Sequence, residues 1–248
     1  MDRKLNKNLS IFPLIKGRLR VIYSTLRLFT VYLMNLLNNC FFLVLKVVGV
    51  ILLRILYHIQ VENRAWIPQK GPLIVAANHF SYMDPVVLQA MFPRRIFFMM
   101  TEQFYEGRWK WLFKLFHCIC VRKKGTNIAA LREGIEVLRK NNVLGIYPEG
   151  GVSKEGQFQE GNPGIGFLVK KSNAPVIPAF ISGTYEALPK GAKIPRIFRI
   201  KVIFGKPMTF EKIKGTTKEE IEEITRKIME QIKKLSPSKR ESSLAKYS

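Results

Sequence analysis

A chain of 248 residues has room for one large α/β domain, or for a smaller domain with an appendage. Lysine and arginine number 41 against 18 acidic residues, a net charge of +23, which calls for an anionic partner: nucleic acid, an anionic membrane surface or a phosphorylated substrate. With no helix-turn-helix pattern, zinc-finger spacing or RNA-recognition signature, and only three cysteines, nucleic acid and a disulfide-built scaffold are set aside.

The first element is an apolar block from Leu9 to Val61, rich in Leu, Ile, Val and Phe. It is too long, and too far from a small-residue cleavage site, for a simple signal peptide. Its least charged piece, Leu28 to Leu45, has about the length that spans a bilayer. Asn35, Asn38 and Asn39 would then sit at mid-membrane, where polar groups are costly. Two helices broken near Asn38–Asn39 fit better, each dipping an apolar face into one leaflet while Lys16, Arg18, Arg20 and Arg27 meet anionic headgroups. A single transmembrane helix and a buried hairpin are the alternatives. Residues 1–60 are thus expected to be a two-helix membrane anchor, 61–235 the α/β domain and 236–248 a polar tail.

Past the block, "PLIVAA" reads as a buried strand, Leu73 to Ala77, running into "NHFSYMDP". A helix follows, with Asp84 expected at its N-cap and Pro85 at its first helical position. "RRIFFMMT" and "HCICVRK" are the next strands, the second ending at Arg122. Ile128, Leu131, Ile135 and Leu138 share one face of an amphipathic helix, which leads to the strand "VLGIYPEGG". A helix over "GNPGIGFLVKKSN", the strands "APVIPAFI" and "FRIKVIF", and a charged helix from Thr217 to Leu235 complete the series. This alternation predicts an α/β fold with a largely parallel or mixed central sheet flanked by helices. His79, Arg122 and Glu149 each lie just past the carboxyl end of a strand. Parallel strands would deliver all three to one edge of the sheet, where such folds bind ligands.

Residues five apart on one helix point about 140° apart, so His79 and Asp84 meet only if His79 lies in the loop and Asp84 at the helix start. Asp84 would then accept a hydrogen bond from one ring nitrogen and leave the other to take a proton from a hydroxyl. The plainer reading is a capping aspartate beside a loop histidine. No G-x-S-x-G elbow is present, Ser81 more naturally supports the turn, and nothing in the sequence marks Cys118 as activated. "HCIC" lacks a second pair at metal-ligand spacing. In "YPEGGVS", Gly150 and Gly151 let backbone N–H groups approach an anion, and Glu149 is placed to bind a substrate hydroxyl or fix a basic side chain. Arg122, with Lys123 and Lys124, is either a phosphate-binding cation or the solvated end of a strand.

Together these stretches resemble the glycerophospholipid acyltransferases, and among them the bacterial 1-acylglycerol-3-phosphate acyltransferases. Asn78, His79 and Asp84 meet the family's N-H-x-x-x-x-D motif, and "CICVR" its apolar strand ending in arginine. Tyr147 to Ser153 meets [FY]-P-E-G-[TG]-R-S except at Val152, which stands where the motif has arginine; Lys154 is the nearest cation. "APVIPAFISG", with Pro178, matches the fourth motif.

The resemblance implies that His79 is a general base oriented by Asp84, and that Arg122, Glu149, Gly150, Gly151 and Asn78 bind substrate. It implies transfer of a fatty acyl group to lysophosphatidic acid, giving phosphatidic acid, at the cytoplasmic face of the cell membrane. No metal or bound organic cofactor is expected; acyl-CoA or acyl carrier protein is the co-substrate, and the membrane partner is an anionic leaflet. The departure at Val152 also admits another lysolipid or an amino-lipid as acceptor. A non-catalytic module that binds anionic membranes is the reading from a different class.

Overall fold

A computed structural model describes residues 11–102, 118–122, 127–210 and 217–237. Lys123 and Lys124 of the expected phosphate site, and the polar tail beyond residue 237, lie outside those residues. The chain divides into two compact units, Met1–Leu45 and Lys46–Ser248.

Helix α1 (Ile11–Tyr57) is one unbroken helix of 47 residues. The break expected at Asn38–Asn39 does not occur. An asparagine costs a helix only about 0.7 kcal/mol relative to alanine, too little to interrupt a run of Leu, Met, Phe and Val that holds no proline after the first turn. Its segment Thr30–Tyr57, 28 residues, is long and apolar enough to cross a membrane by length and composition. At 1.5 Å per residue it measures about 42 Å, against a hydrocarbon core of about 30 Å. Tyr32, Met34 and Leu37 on this segment are exposed.

The second unit is built on seven strands: β1 (Gln60–Glu62), β2 (Leu73–Ala77), β3 (Ile96–Thr101), β4 (Ile119–Val121), β5 (Val143–Ile146), β6 (Val176–Ser182) and β7 (Lys201–Phe204). Their order across the sheet is β1-β7-β6-β2-β5-β3-β4. All neighbours run parallel except β6 and β7, so the sheet is mixed, as expected, with one antiparallel pair. Strand β2 is central: Leu73 pairs with Val143 of β5 and Ile74 with Val176 of β6. The edge strand β1 was not legible in the sequence. Its three residues are too few for a period, and it is seated by β7 and by Gln60 N–H donating to the Ile200 carbonyl.

Side chains alternate along a strand, and β2 shows the consequence. Leu73, Val75 and Ala77 face one core, with Val87, Leu88 and Met91 of α2 (Asp84–Met91) and Tyr57 at the end of α1. Ile74 and Ala76 face the other, with α3 (Ile128–Arg139), α4 (Gly164–Ser172) and α6 (Lys218–Lys234). A strand covered on both faces must be apolar throughout, and all five residues of β2 are buried. The short α5 (Thr184–Ala187) follows β6. Helix α6 begins with a capping box: the Thr217 side chain accepts from Glu220 N–H while the Glu220 side chain accepts from Thr217 N–H.

Helices α4 and α6 approach so closely at Gly166 that a Cβ there would lie 2.2 Å from the Ile221 carbonyl oxygen. That obstacle is backbone and cannot rotate away. Gly166→Ala is therefore expected to destabilise the second unit by about 1–3 kcal/mol, the usual range for overpacking, read by denaturant unfolding in detergent. An unchanged midpoint would show that α6 can shift freely.

Candidate active site

Strand β2 stops at Asn78, whose side chain continues the sheet by other means. Its Nδ2 donates to the Ile181 carbonyl at 2.9 Å, and its Oδ1 accepts from Ile181 N–H at 2.7 Å. The amide is fully buried, and its nitrogen and its oxygen each hold β6. Asn78, expected to bind substrate, is tied to β6 by these two bonds and fixes the point at which the chain leaves the sheet.

The next residues form a loop wrapped around Asp84. Its Oδ2 accepts three hydrogen bonds: from the ring Nδ1 of His79 at 2.9 Å and from the backbone N–H of Phe80 and of Ser81, each at 2.8 Å. Asp84 is the first residue of α2 rather than its N-cap, a position held by Met83. The carboxylate turns back into the loop instead of forward onto the helix, because three donors await it there. Ser81 supports the turn, its Oγ donating to the Leu188 carbonyl at 2.7 Å and accepting from Met83 N–H at 3.1 Å. A carboxylate can only accept, so Nδ1 carries the imidazole proton and Nε2 presents its lone pair. Nε2 has no hydrogen-bond partner among the described residues. The ring stacks on Tyr147 with centroids 4.0 Å apart and planes 17° from parallel. Burial, together with the Asp84 charge, pushes the Tyr147 hydroxyl well above its ordinary pKa, so it stays neutral.

The turn after β5, the strand beside β2, supplies the second wall. Glu149 Oε1 accepts from His79 N–H at 3.1 Å and its Oε2 from Gln159 N–H at 3.2 Å. His79 in turn accepts, through its carbonyl, from Ser153 N–H at 2.8 Å. Burial pushes the Glu149 carboxyl up to about 7, with the Asp84 charge adding to the rise and the two N–H bonds and Lys233 opposing it. Gly150 takes a positive φ of 73° and donates its N–H to the Tyr147 carbonyl at 3.0 Å, so its amide is committed to the turn. The Gly151 N–H has no partner among the described residues, and the space beside both glycines is open. Gly150 makes the turn, and the Gly151 amide is left uncommitted among the described residues.

Arg122 is exposed at the end of β4, at the expected edge of the sheet. Its strand lies three positions from β2, about 14 Å at the usual spacing of about 4.8 Å. Hydrogen bonds thus join His79, Asp84 and Glu149, the last leading into the glycine turn, while Arg122 follows a strand three positions away in the sheet. Lys190 Nζ donates to the Val152 carbonyl at 3.0 Å, and Lys233 lies 5.9 Å from the centre of the Phe158 ring. Both bring positive charge to this wall from later parts of the chain, and neither carries a local sequence signal. Cys118 is buried, and burial pushes its thiol up to about 12, which argues against a thiolate nucleophile at neutral pH.

The sequence profile of the acyltransferase family matches residues 58–182, half of the chain. The chain is 22% identical over 152 residues to the 1-acyl-sn-glycerol-3-phosphate acyltransferase of Bacillus subtilis, covering 60% of this chain and 73% of that one. It is 26% identical over 170 residues to a probable 1-acyl-sn-glycerol-3-phosphate acyltransferase of Mycoplasma genitalium, covering 61% and 62%. Among solved structures, the 1-acyl-sn-glycerophosphate acyltransferase PlsC of Thermotoga maritima superposes with a TM-score of 0.58 at 24% identity, over 73% of this chain and 74% of that one. That likeness is one of fold.

Glu149 gives the site a pH signature. An acid whose pKa rises on folding contributes stability that is fully present below its unfolded value, 4.5, and is lost as pH rises through about 7. Between about pH 5 and 8 the unfolding midpoint should therefore fall in the parent and fall less in Glu149→Gln, which has nothing to titrate. Parallel curves would contradict the assignment.

Proposed function

The chain belongs to the acyltransferase family, and on that premise we propose that it transfers a fatty acyl group from a thioester to the free sn-2 hydroxyl of 1-acylglycerol-3-phosphate, giving phosphatidic acid. The observation that carries this reading is the His79–Asp84 pair, with Nδ1 held at 2.9 Å and Nε2 unpartnered among the described residues. A hydroxyl is a weak nucleophile until its proton is removed. Nε2 takes that proton as the hydroxyl oxygen attacks the thioester carbonyl, and Asp84 stabilises the imidazolium that forms. The carbonyl π electrons move onto oxygen. They return as the tetrahedral intermediate expels the thiolate, which then receives the proton from Nε2. Ester and thiol are the products, and His79 is neutral again.

The acyl-enzyme route is disfavoured by the Cys118 thiol pushed up to about 12 and by Ser81 Oγ, which donates to Leu188. The Gly151 amide is the candidate donor to the oxyanion or to the acceptor phosphate. Glu149 closes the same wall, and Arg122 is assigned to the distal, anionic end of a substrate. This chemistry requires no resident metal or organic cofactor. Acyl-CoA and acyl carrier protein are both anionic, so a chain of net charge +23 suits either as co-substrate. The relatives named 1-acyl-sn-glycerol-3-phosphate acyltransferases support the choice of acceptor. The apolar segment Thr30–Tyr57 suggests membrane association, to which we add the cytoplasmic face and a monotopic seat as parts of the proposal.

Acyl transfer by the purified chain to lysophosphatidic acid and to a panel of other lysolipids tests this. His79→Ala should lose about 10²–10⁴-fold in kcat, the usual worth of a positioned general base, with membrane binding kept. Activity on a different lysolipid alone would keep the mechanism and move the acceptor, and undiminished turnover in the variant would remove the base assignment.

A further inference from the structure

Two large apolar side chains are more exposed than Tyr32, Met34 or Ile55 of α1. They are Ile194, 80% exposed, and Ile197, 72% exposed, in the loop between α5 and β7. From Lys190 to Arg199 this loop holds four basic residues, Lys190, Lys193, Arg196 and Arg199, and no acidic one.

The loop is built rather than loose. Gly183 presses against its far end so closely that a Cβ there would lie 1.9 Å from the Arg199 carbonyl oxygen. Arg196 N–H donates to the Ala187 carbonyl at 2.7 Å, and Ala192 N–H to Pro189 at 3.0 Å. The chain then re-enters the sheet where Ile200 N–H donates to the carbonyl of Tyr57, the last residue of α1, at 3.1 Å. At its near end, Leu188 accepts from Ser81 Oγ, and Lys190 donates to Val152. The two isoleucines are thus held out on a fixed support that touches both walls of the site.

We propose that Lys190–Arg199 is a second membrane-contact element, in which Ile194 and Ile197 enter the acyl region of an anionic leaflet while Lys193 and Arg196 rest against its phosphates. Two apolar side chains ringed by cations match a lipid interface, which takes isolated wedges and anionic headgroups together. A stable protein interface instead needs about 1,200 Å² or more of complementary surface. The tethers through Ser81 and Lys190 then hold the mouth of the site at the depth where a lipid hydroxyl lies.

The direct test introduces Ile194→Trp into the full chain and binds it to vesicles containing phosphatidylglycerol brominated near the headgroup end of the acyl chains. The parent has three tryptophans, so quenching in excess of the parent's reports position 194. Excess quenching that weakens when phosphatidylcholine replaces phosphatidylglycerol, or when Lys193 and Arg196 both become glutamine, is the expected result. No excess in vesicle-bound protein overturns the proposal, and so does quenching indifferent to lipid charge. A blue shift that needs no vesicles and grows with protein concentration overturns it in favour of a second copy of the chain. None of these readings depends on which acceptor is acylated. Ile194→Glu with Ile197→Glu should further lower acyl transfer to a vesicle-embedded acceptor at least about tenfold more than to the same acceptor in detergent micelles; equal loss in both would count against the loop.

Discussion

Asp84 is a carboxylate with no solvent exposure, placed where a strand has just ended and a helix begins. An isolated charge in such a place would be prohibitively costly, and the surrounding loop has taken the shape that offsets the cost. Three N–H groups converge on one oxygen, two from the backbone and one from the His79 ring. The demand of the buried charge sets the path of Phe80 and Ser81, selects the tautomer of His79, and turns the first residue of α2 away from capping its own helix. Most of the site's geometry follows from that constraint.

Two acids beside the pair have their pKa raised by burial. Tyr147, stacked on the imidazole, stays neutral. Glu149 shares the wall, and burial pushes it up to about 7, the Asp84 charge adding a smaller part. Architecture makes this economical. β2 and β5 are adjacent and parallel, so the loops that follow them emerge side by side, and a hydrogen bond between Glu149 and His79 N–H spans the gap.

How far the sequence disclosed this depended on the range of each signal. Strand β2 appears with the bounds its apolar run predicts, because a strand buried on both faces has nothing else to be. His79, Arg122 and Glu149 reach one edge because each follows an apolar strand and those strands are parallel. Where the signal was local but ambiguous, reading went astray: asparagines at mid-helix suggested a break that their small propensity cost does not enforce. Asn78 pairs with Ile181, 103 residues away, and no spacing rule reports that pairing. Lys190 was invisible for the same reason, since its contact with Val152 exists only after β6 has been placed beside β2.

The tautomer of His79 tests this account most directly. Nitrogen NMR of histidine-labelled chain, with His79 assigned by difference from His79→Ala among the three histidines, reads which ring nitrogen holds the proton at a pH where the imidazole is neutral. The account predicts a single tautomer, with Nδ1 protonated and Nε2 bare, that gives way to a mixture in Asp84→Asn. A proton on Nε2, or a mixture already present in the parent, would mean that Asp84 does not hold the base and that the 2.9 Å contact is not what makes His79 reactive.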